Sequence, residues 1–144
     1  MHRSNDFPAR FRRLFDSLGC DSLDGLSGVY APEVVFEDPF HRIEGLPALE
    51  AYFVGMYQEV ESCSFEWGAS AGTDVVFFQE WTMHLRHRKF RPGKTVAVPG
   101  CTSCRLVGEL AISHRDHFDA GVLIYERVPV LGTLVKFIKG RVGS

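Results

Sequence analysis

The second half of the chain is dominated by long runs in which apolar and polar residues alternate, each ended by a turn signal. The runs are residues 62–70, 73–90, 95–106 and 110–118. The turns between them contain Ala71-Gly72, Arg91-Pro92-Gly93 and Val107-Gly108. A period of two predicts strands, and consecutive strands joined by short glycine turns pair antiparallel. This half therefore predicts a long-stranded and strongly curved antiparallel sheet.

The first half shows helical spacing instead. Apolar residues three and four apart predict a first helix after Pro8, a second, shorter one capped by Ser22 and ending before Pro32, and a third after Gly45. A stripe within residues 129–141 predicts a last helix. Three helices, then a run of hairpins and a closing helix, make an α+β layout rather than alternating βαβ units.

A short strand, residues 33–37, lies between the second and third predicted helices. Alternation puts Val34, Phe36 and Asp38 on one face. Two interpretations of Asp38 stay open. Its carboxylate caps the turn that runs to His41, or it points into a pocket, where a desolvated carboxylate suits a general base or acid.

The last predicted strand carries further titratable groups. Alternation puts Ile112, His114 and Asp116 on one face, opposite Ser113, Arg115 and His117. If the first set faces inward, it holds an acid and a base on one wall of a pocket. The alternative is a salt bridge from Asp116 to an arginine, which would be Arg86, Arg105 or Arg115.

Composition narrows the function classes. A chain of 144 residues that is 45% hydrophobic and 24% charged fits a single globular domain spanning residues 1–144. A net charge of -2 argues against a dedicated nucleic-acid binder. The start lacks an apolar signal region, and no run approaches the ~20 apolar residues that span a bilayer, so we expect a cytoplasmic protein without stable membrane insertion. The four cysteines, including the Cys101 and Cys104 pair, fit free thiols.

Two clusters of cations have open interpretations. The hairpin at residues 84–94 is rich in His, Arg and Lys, and it is either a solvated strand tip paired with nearby acids or a site for phosphate or an acidic partner. The cations of the last predicted helix either complement the helix dipole or place the helix on a membrane surface.

Two stretches carry a family resemblance. Residues 30–39, followed by Gly45 and a helix, are similar to the segment that holds the general base of ketosteroid isomerase. Residues 108–119 are similar to the Arg-Asp-aromatic-aromatic-Asp ending of SnoaL-like and epoxide-hydrolase-like proteins. With the order of elements, they make the chain resemble the nuclear transport factor two-like superfamily over nearly its whole length.

The resemblance implies a cone-shaped α+β roll of the cystatin-like kind, in which the curved sheet wraps a pocket for a small apolar or carbonyl-containing ligand. It implies Asp38, His114 and Asp116 as catalytic candidates. It also implies a homodimer formed through the outer sheet face, and no cofactor. The expected pocket-lining residues are Phe36, His41, Tyr52, Phe53, Met56, Trp81, Met83, Thr102, Cys104 and Ile112.

The chain also departs from known members of the superfamily. Leu14 and Thr102 stand where ketosteroid isomerase has its two oxyanion donors, and Trp81-Thr82-Met83 stands where the epoxide hydrolases carry Arg-x-Asp. Neither of these two mechanisms therefore transfers complete. What the resemblance implies is proton-transfer chemistry without a cofactor, such as isomerisation, cyclisation or dehydration of an apolar carbonyl compound, with Asp38 as the base and with Asp116 and His114 as acid or orienting groups.

Three alternatives stay open. The pocket could hold a ligand without converting it, or the domain could serve as a dimeric interaction module. His41 could also join Asp38, His114 and Asp116 as ligands of iron or zinc. Their spacing matches no metal signature, so we expect no metal.

Overall fold

The computed structural model describes residues 6–18, 25–89 and 93–121. The proposed cap at Ser22, the tip of the basic hairpin at residues 90–92 and the predicted last helix at residues 129–141 lie outside the described residues. Within the described ranges no helix is long and apolar enough to cross a membrane.

The described residues form one mixed sheet of six strands. The strands are β1 (Tyr30–Glu37), β2 (Arg42–Glu44), β3 (Val60–Gly72), β4 (Val76–His87), β5 (Val96–Val107) and β6 (Leu110–Phe118). Their order across the sheet is β2-β1-β6-β5-β4-β3. Strands β3 to β6 pair antiparallel as predicted, whereas β1 pairs parallel with β6. The α+β class and the curved sheet are confirmed.

Two α-helices in the described part pack against this sheet: α1 (Phe7–Ser17) and α2 (Leu46–Gln58). Each has a proline in its first turn, where the missing N–H costs no intrahelical hydrogen bond. Helix α1 buries Phe7, Phe11 and Leu14 against the sheet. Ring contacts of Phe7 and Phe11 with Phe77, both with centroids 5.4 Å apart, join α1 to strand β4.

The second predicted helix differs from the structure. In its described part, the segment forms one 3-10 turn, Leu26–Gly28, and Tyr30 already belongs to β1, three residues before the predicted start of that strand. The cause is pairing with a distant strand, because Ala111 donates its N–H to the Val29 carbonyl at 2.8 Å and Tyr30 lies opposite Ala111. The short strand β2 was not predicted either, since three residues are too few to show a period.

A β-bulge in β6 breaks the predicted alternation. Arg105 lies opposite Ser113, but the next pair is Leu106 with Ala111, so Ile112 is an extra residue on β6. A bulge bends the strand and leaves its extra residue out of the regular pattern. Ile112 therefore lies outside the alternation that, in the sequence prediction, placed it on the face of His114.

Helix α2 provides a test of the core. Leu49 is fully buried beneath α2, so we expect Leu49→Ala to lower the free energy of unfolding by about 2–5 kcal/mol, measured by urea denaturation. The control is Val54→Ala on the exposed side of the same helix, which should change that value by no more than about 0.5 kcal/mol. Equal losses in the two variants would contradict this account of how α2 packs.

Candidate active site

A cavity of about 260 Å³ lies between the two helices and the inner face of the sheet, and its wall is mainly aromatic. The three catalytic candidates, Asp38, His114 and Asp116, all lie on this wall. They are joined there by most of the expected lining residues, namely Phe36, His41, Tyr52, Phe53, Met56, Trp81, Met83 and Thr102.

Two of the expected lining residues lie elsewhere. Cys104 follows Thr102 on the same face of β5, but it packs in the hydrophobic core with Phe77 and Leu106 and is not part of the cavity wall. Ile112 is absent from the wall because the bulge in β6 displaces it.

His114 and Asp116 form a buried pair on β6. His114 is 1% exposed, and its Nε2 lies 2.6 Å from Oδ1 of Asp116. Its other ring nitrogen, Nδ1, lies 2.8 Å from the hydroxyl of the fully buried Tyr30. Strands β6 and β1 therefore fix the imidazole ring from both ends.

The ionisation of His114 follows from this pairing. Burial is the largest single influence and lowers the pKa of the imidazole, but the charge and hydrogen bond of Asp116, together with the neighbouring Cys104, outweigh burial and raise the pKa of His114 to about 10. As an imidazolium, His114 donates from both nitrogens, to Asp116 and to the Tyr30 oxygen. Burial also raises the pKa of Tyr30 well above its usual value, so the phenol keeps its proton.

A second chain of hydrogen bonds reaches Asp116 from β4 and β5. The indole Nε1 of Trp81 donates to Oγ1 of Thr102 at 2.8 Å, and that hydroxyl donates to Oδ1 of Asp116 at 2.6 Å. Within the described residues, both side-chain donors to Asp116 use Oδ1. The carboxylate is thus held through one oxygen while the residue lines the cavity.

Asp38 combines both interpretations that the sequence left open. Its Oδ1 accepts the backbone N–H groups of Phe40 and His41 at 2.8 and 2.7 Å and so caps the turn. Its Oδ2 accepts the Tyr52 hydroxyl at 2.9 Å, on the cavity wall. The ring of His41 lies 3.2 Å from Oδ1, and its side chain is 49% exposed.

The two polar clusters share one end of the cavity. In the parallel pairing of β1 with β6, Phe36 lies opposite His114 and Glu37 opposite Arg115. The next residue is an aspartate on both segments, so Asp38 and Asp116 lie at the same end of the cavity. Burial first, and then the carboxylates of Asp38 and Asp116, raise the pKa of Tyr52 well above its usual value. Tyr52 is therefore a neutral hydrogen-bond donor close to both acids.

The metal hypothesis finds no support in this geometry. Asp38 pairs with His41, and Asp116 pairs with His114. Across the described ranges no group of three or more His, Cys, Asp or Glu side chains could hold a metal ion.

The sequence alternative of a salt bridge from Asp116 to an arginine differs from the pair in the structure, in which Asp116 pairs with His114.

The basic hairpin has acidic neighbours in its described part. His84 pairs with Glu66, Arg86 with Glu61, and Lys89 with Glu59. These pairs fit the solvated strand tip that was one of the two interpretations. Arg115 likewise lies 4.0 Å from Glu37 on the outer face of the sheet.

Sequence reasoning missed two members of the network. The helical spacing predicts Tyr30 in a helix, and alternation could not have placed it with Val34 and Phe36, because the burial pattern and the register of β1 are irregular between Tyr30 and Val35. Trp81 was expected only as apolar wall, and no local signal reveals that its N–H reaches Thr102 on the neighbouring strand.

We expect His114 to remain an imidazolium from pH 6 to 9, as measured by the carbon-13 shift of its Cε1 in NMR. Its folded pKa of about 10 lies above the ordinary 6.5, so its stabilising contribution is complete below about pH 6.5 and is lost as the pH rises through 10. In Asp116→Asn burial dominates, and the pKa of His114 should fall below its ordinary value.

The control for this titration is Glu66→Gln, which removes the carboxylate beside the surface residue His84 and should leave His114 unchanged. A wild-type His114 that titrates near 6.5 would contradict the assigned ion pair.

Comparison with known proteins places the chain in a family. The profile of the SnoaL-like domain matches residues 11–114, and no curated protein matches the sequence. A putative SnoaL-like polyketide cyclase from Jannaschia sp. CCS1 has a similar structure, with a TM-score of 0.75 and 16% identity, over 90% of this chain and 98% of that one.

Two further solved structures share the fold. A hypothetical protein with a ketosteroid isomerase-like fold from Catenulispora acidiphila DSM 44928, in complex with trimethylamine, gives a TM-score of 0.71 at 12% identity, over 86% of this chain and 93% of that one. An LEH-like epoxide hydrolase of M. tuberculosis gives a TM-score of 0.67 at 16% identity, over 97% of this chain and 96% of that one. The resemblance to the nuclear transport factor two-like superfamily is confirmed, and the chain belongs to the SnoaL-like domain family.

Proposed function

We propose that the protein is an acid–base enzyme that moves a proton within a small, mostly apolar carbonyl compound, with Asp116 as the group that takes and returns the proton. The observation that carries the proposal is the hydrogen bonding of Asp116. Two buried donors, His114 and Thr102, hold Oδ1 at 2.6 Å each, and the carboxylate lies on the wall of an apolar cavity. Such fixed polar groups in a water-poor site are typical of catalytic carboxylates.

The two carboxylates have different surroundings, which supports different roles. Both oxygens of Asp38 accept hydrogen bonds, Oδ1 from the turn amides and Oδ2 from Tyr52. Asp116 uses only Oδ1 for its bonds with described side chains. We therefore assign proton transfer to Asp116 and the positioning of Tyr52 to Asp38, in place of the sequence expectation that Asp38 is the base.

The proposed reaction needs three groups. Oδ2 of Asp116 removes a proton from the carbon next to the ligand carbonyl. The electron pair of that C–H bond forms a C=C bond to the carbonyl carbon, and the C=O π pair moves to the carbonyl oxygen. The Tyr52 hydroxyl turns from Asp38 and donates a hydrogen bond to this oxygen. His114 keeps its proton and offsets the charge of Asp116 at rest, and the proton on Asp116 returns to a different atom of the ligand.

The test uses a substrate identified by screening small apolar carbonyl compounds. Asp116→Asn should lower kcat by about 100-fold or more, because general acid–base groups contribute about 10²–10⁴-fold. Asp38→Asn keeps an oxygen for the turn amides and should have a smaller effect. The matched control is Asp74→Asn at the exposed turn between β3 and β4, which should leave kcat unchanged.

Undiminished turnover in Asp116→Asn would remove Asp116 from the mechanism.

The second candidate, a binding module that does not convert its ligand, is favoured by the largely aromatic wall of the cavity. It predicts an apolar compound that copurifies with the protein, is detected by mass spectrometry and stays unchanged on incubation.

We also expect the protein to act in the cytoplasm and as a homodimer that pairs through the outer sheet face. That face carries the exposed Phe78 beside a groove lined by Val35, Glu37 and Arg115. Light scattering should give twice the mass of one chain, and Phe78→Glu should give a single-chain mass. Val54→Glu on the exposed side of α2 is the control, and a monomeric wild-type protein would exclude this pairing.

A further inference from the structure

We propose that Gly100 and Trp81 act together as a positioning pair for Asp116. Gly100 provides the space in which the Trp81 indole lies across the sheet, and the indole fixes Thr102, which in turn fixes the carboxylate. This inference rests on the proposed role of Asp116 and identifies what sets the orientation of that group.

The first observation is steric. A methyl group on Gly100 would lie 2.7 Å from both Cζ2 and Cζ3 of Trp81, and closer still to Cη2. Gly100 lies on β5 between Trp81 on β4 and Phe118 on β6. The indole ring therefore occupies the position that any side chain at residue 100 would need.

The ring has little room to move away. Trp81 is buried, Phe65 contacts it edge-on with centroids 5.8 Å apart, and Phe118 lies at 6.3 Å. The backbone at Gly100 does not require glycine, because this residue is not among the glycines with positive φ in the described residues. The contact with the indole is thus the feature of this site that demands a glycine.

The second observation is the direction of the hydrogen bonds. An indole N–H can only donate, so Trp81 occupies an acceptor position of the Thr102 hydroxyl at 2.8 Å. The single hydroxyl proton of Thr102 is then directed to Oδ1 of Asp116 at 2.6 Å. Thr102 is buried and lies opposite Asp116 in the register of β5 and β6.

One packing contact and two hydrogen bonds thus connect Gly100, through Trp81 and Thr102, to the reacting carboxylate of Asp116. With His114 bonded to the same oxygen, two donors from different strands fix Oδ1 and determine where Oδ2 lies. A displaced indole would enter the cavity and release Thr102 at the same time. Gly100 would thereby control both the space beside Asp116 and the orientation of its carboxylate.

The experiment compares four proteins: wild type, Gly100→Ala, Trp81→Phe and the double variant. In Gly100→Ala the Trp81 indole N–H resonance should shift upfield as its hydrogen bond is lost, the carboxyl carbon-13 chemical shift of Asp116 should change, and kcat should fall by about tenfold or more. Trp81→Phe removes the N–H and should cause similar changes at Asp116. Because the smaller ring leaves space for a methyl group, the double variant should differ from Trp81→Phe by less than about twofold in kcat.

The matched control is Gly55→Ala on α2, where an added methyl group meets no atom within 4 Å. It should leave the indole resonance, the carboxyl carbon-13 shift of Asp116 and kcat as in the wild type. A purely structural role of Gly100 would lower stability without changing the carboxyl shift of Asp116, so that readout separates the two roles.

The proposal is overturned if Gly100→Ala keeps the wild-type indole resonance and the wild-type carboxyl shift of Asp116, or if the losses in kcat from the two substitutions simply add. If Gly100→Ala does not fold, the double variant must fold, and failure of both overturns the proposal. The carboxyl carbon-13 shift reports on Asp116 whether or not the protein turns over a substrate. A failed acid–base function, seen as full activity in Asp116→Asn, is therefore distinguishable from failure of this inference.

Discussion

The parallel pairing of β1 with β6 is the interaction on which the candidate site depends. It joins two strands that are far apart in sequence, and it places Phe36 opposite His114 with ring centroids 4.7 Å apart. The hydrogen bond that His114 donates to the Tyr30 hydroxyl oxygen crosses the same pair of strands. Without this pairing His114 would lose its second partner, and the strand end at Asp38 would not lie beside Asp116.

The polar network of the site is costly to bury and is therefore fully bonded. Isolated charges in an apolar interior are strongly unfavourable, and removing one partner of a buried pair usually costs more than the pair contributes. In the described part of the chain no buried side-chain N or O atom lacks a hydrogen-bond partner. The imidazolium of His114, the carboxylate of Asp116 and the hydroxyls of Tyr30 and Thr102 satisfy one another. Such a network favours a single arrangement of its members.

Local periodicity predicted much of this fold and part of the site. Alternation correctly placed Trp81 and Met83 on one face of β4, and His114 and Asp116 on one face of β6, because side-chain direction in a strand is a local property. Alternation could not show the bulge at Ile112, which arises from the register with β5. It also could not show that Tyr30 joins a strand, or that an indole N–H reaches across to Thr102, since these contacts depend on pairing between distant segments.

The bulge at Ile112 bends β6 without changing which of the other side chains of this strand face inward. Ala111 and His114 are both buried although three positions separate them, because Ile112 is the extra residue between the pairs that β5 forms with Ala111 and Ser113. Deleting Ile112 would restore strict alternation and leave each remaining side chain of β6 on its present side. It would also remove the local bend and extra twist that a bulge provides. Two different features of β6 therefore determine which residues line the cavity and how strongly the sheet curves. Deleting Ile112 would change the shape of the cavity without changing the residues that line it.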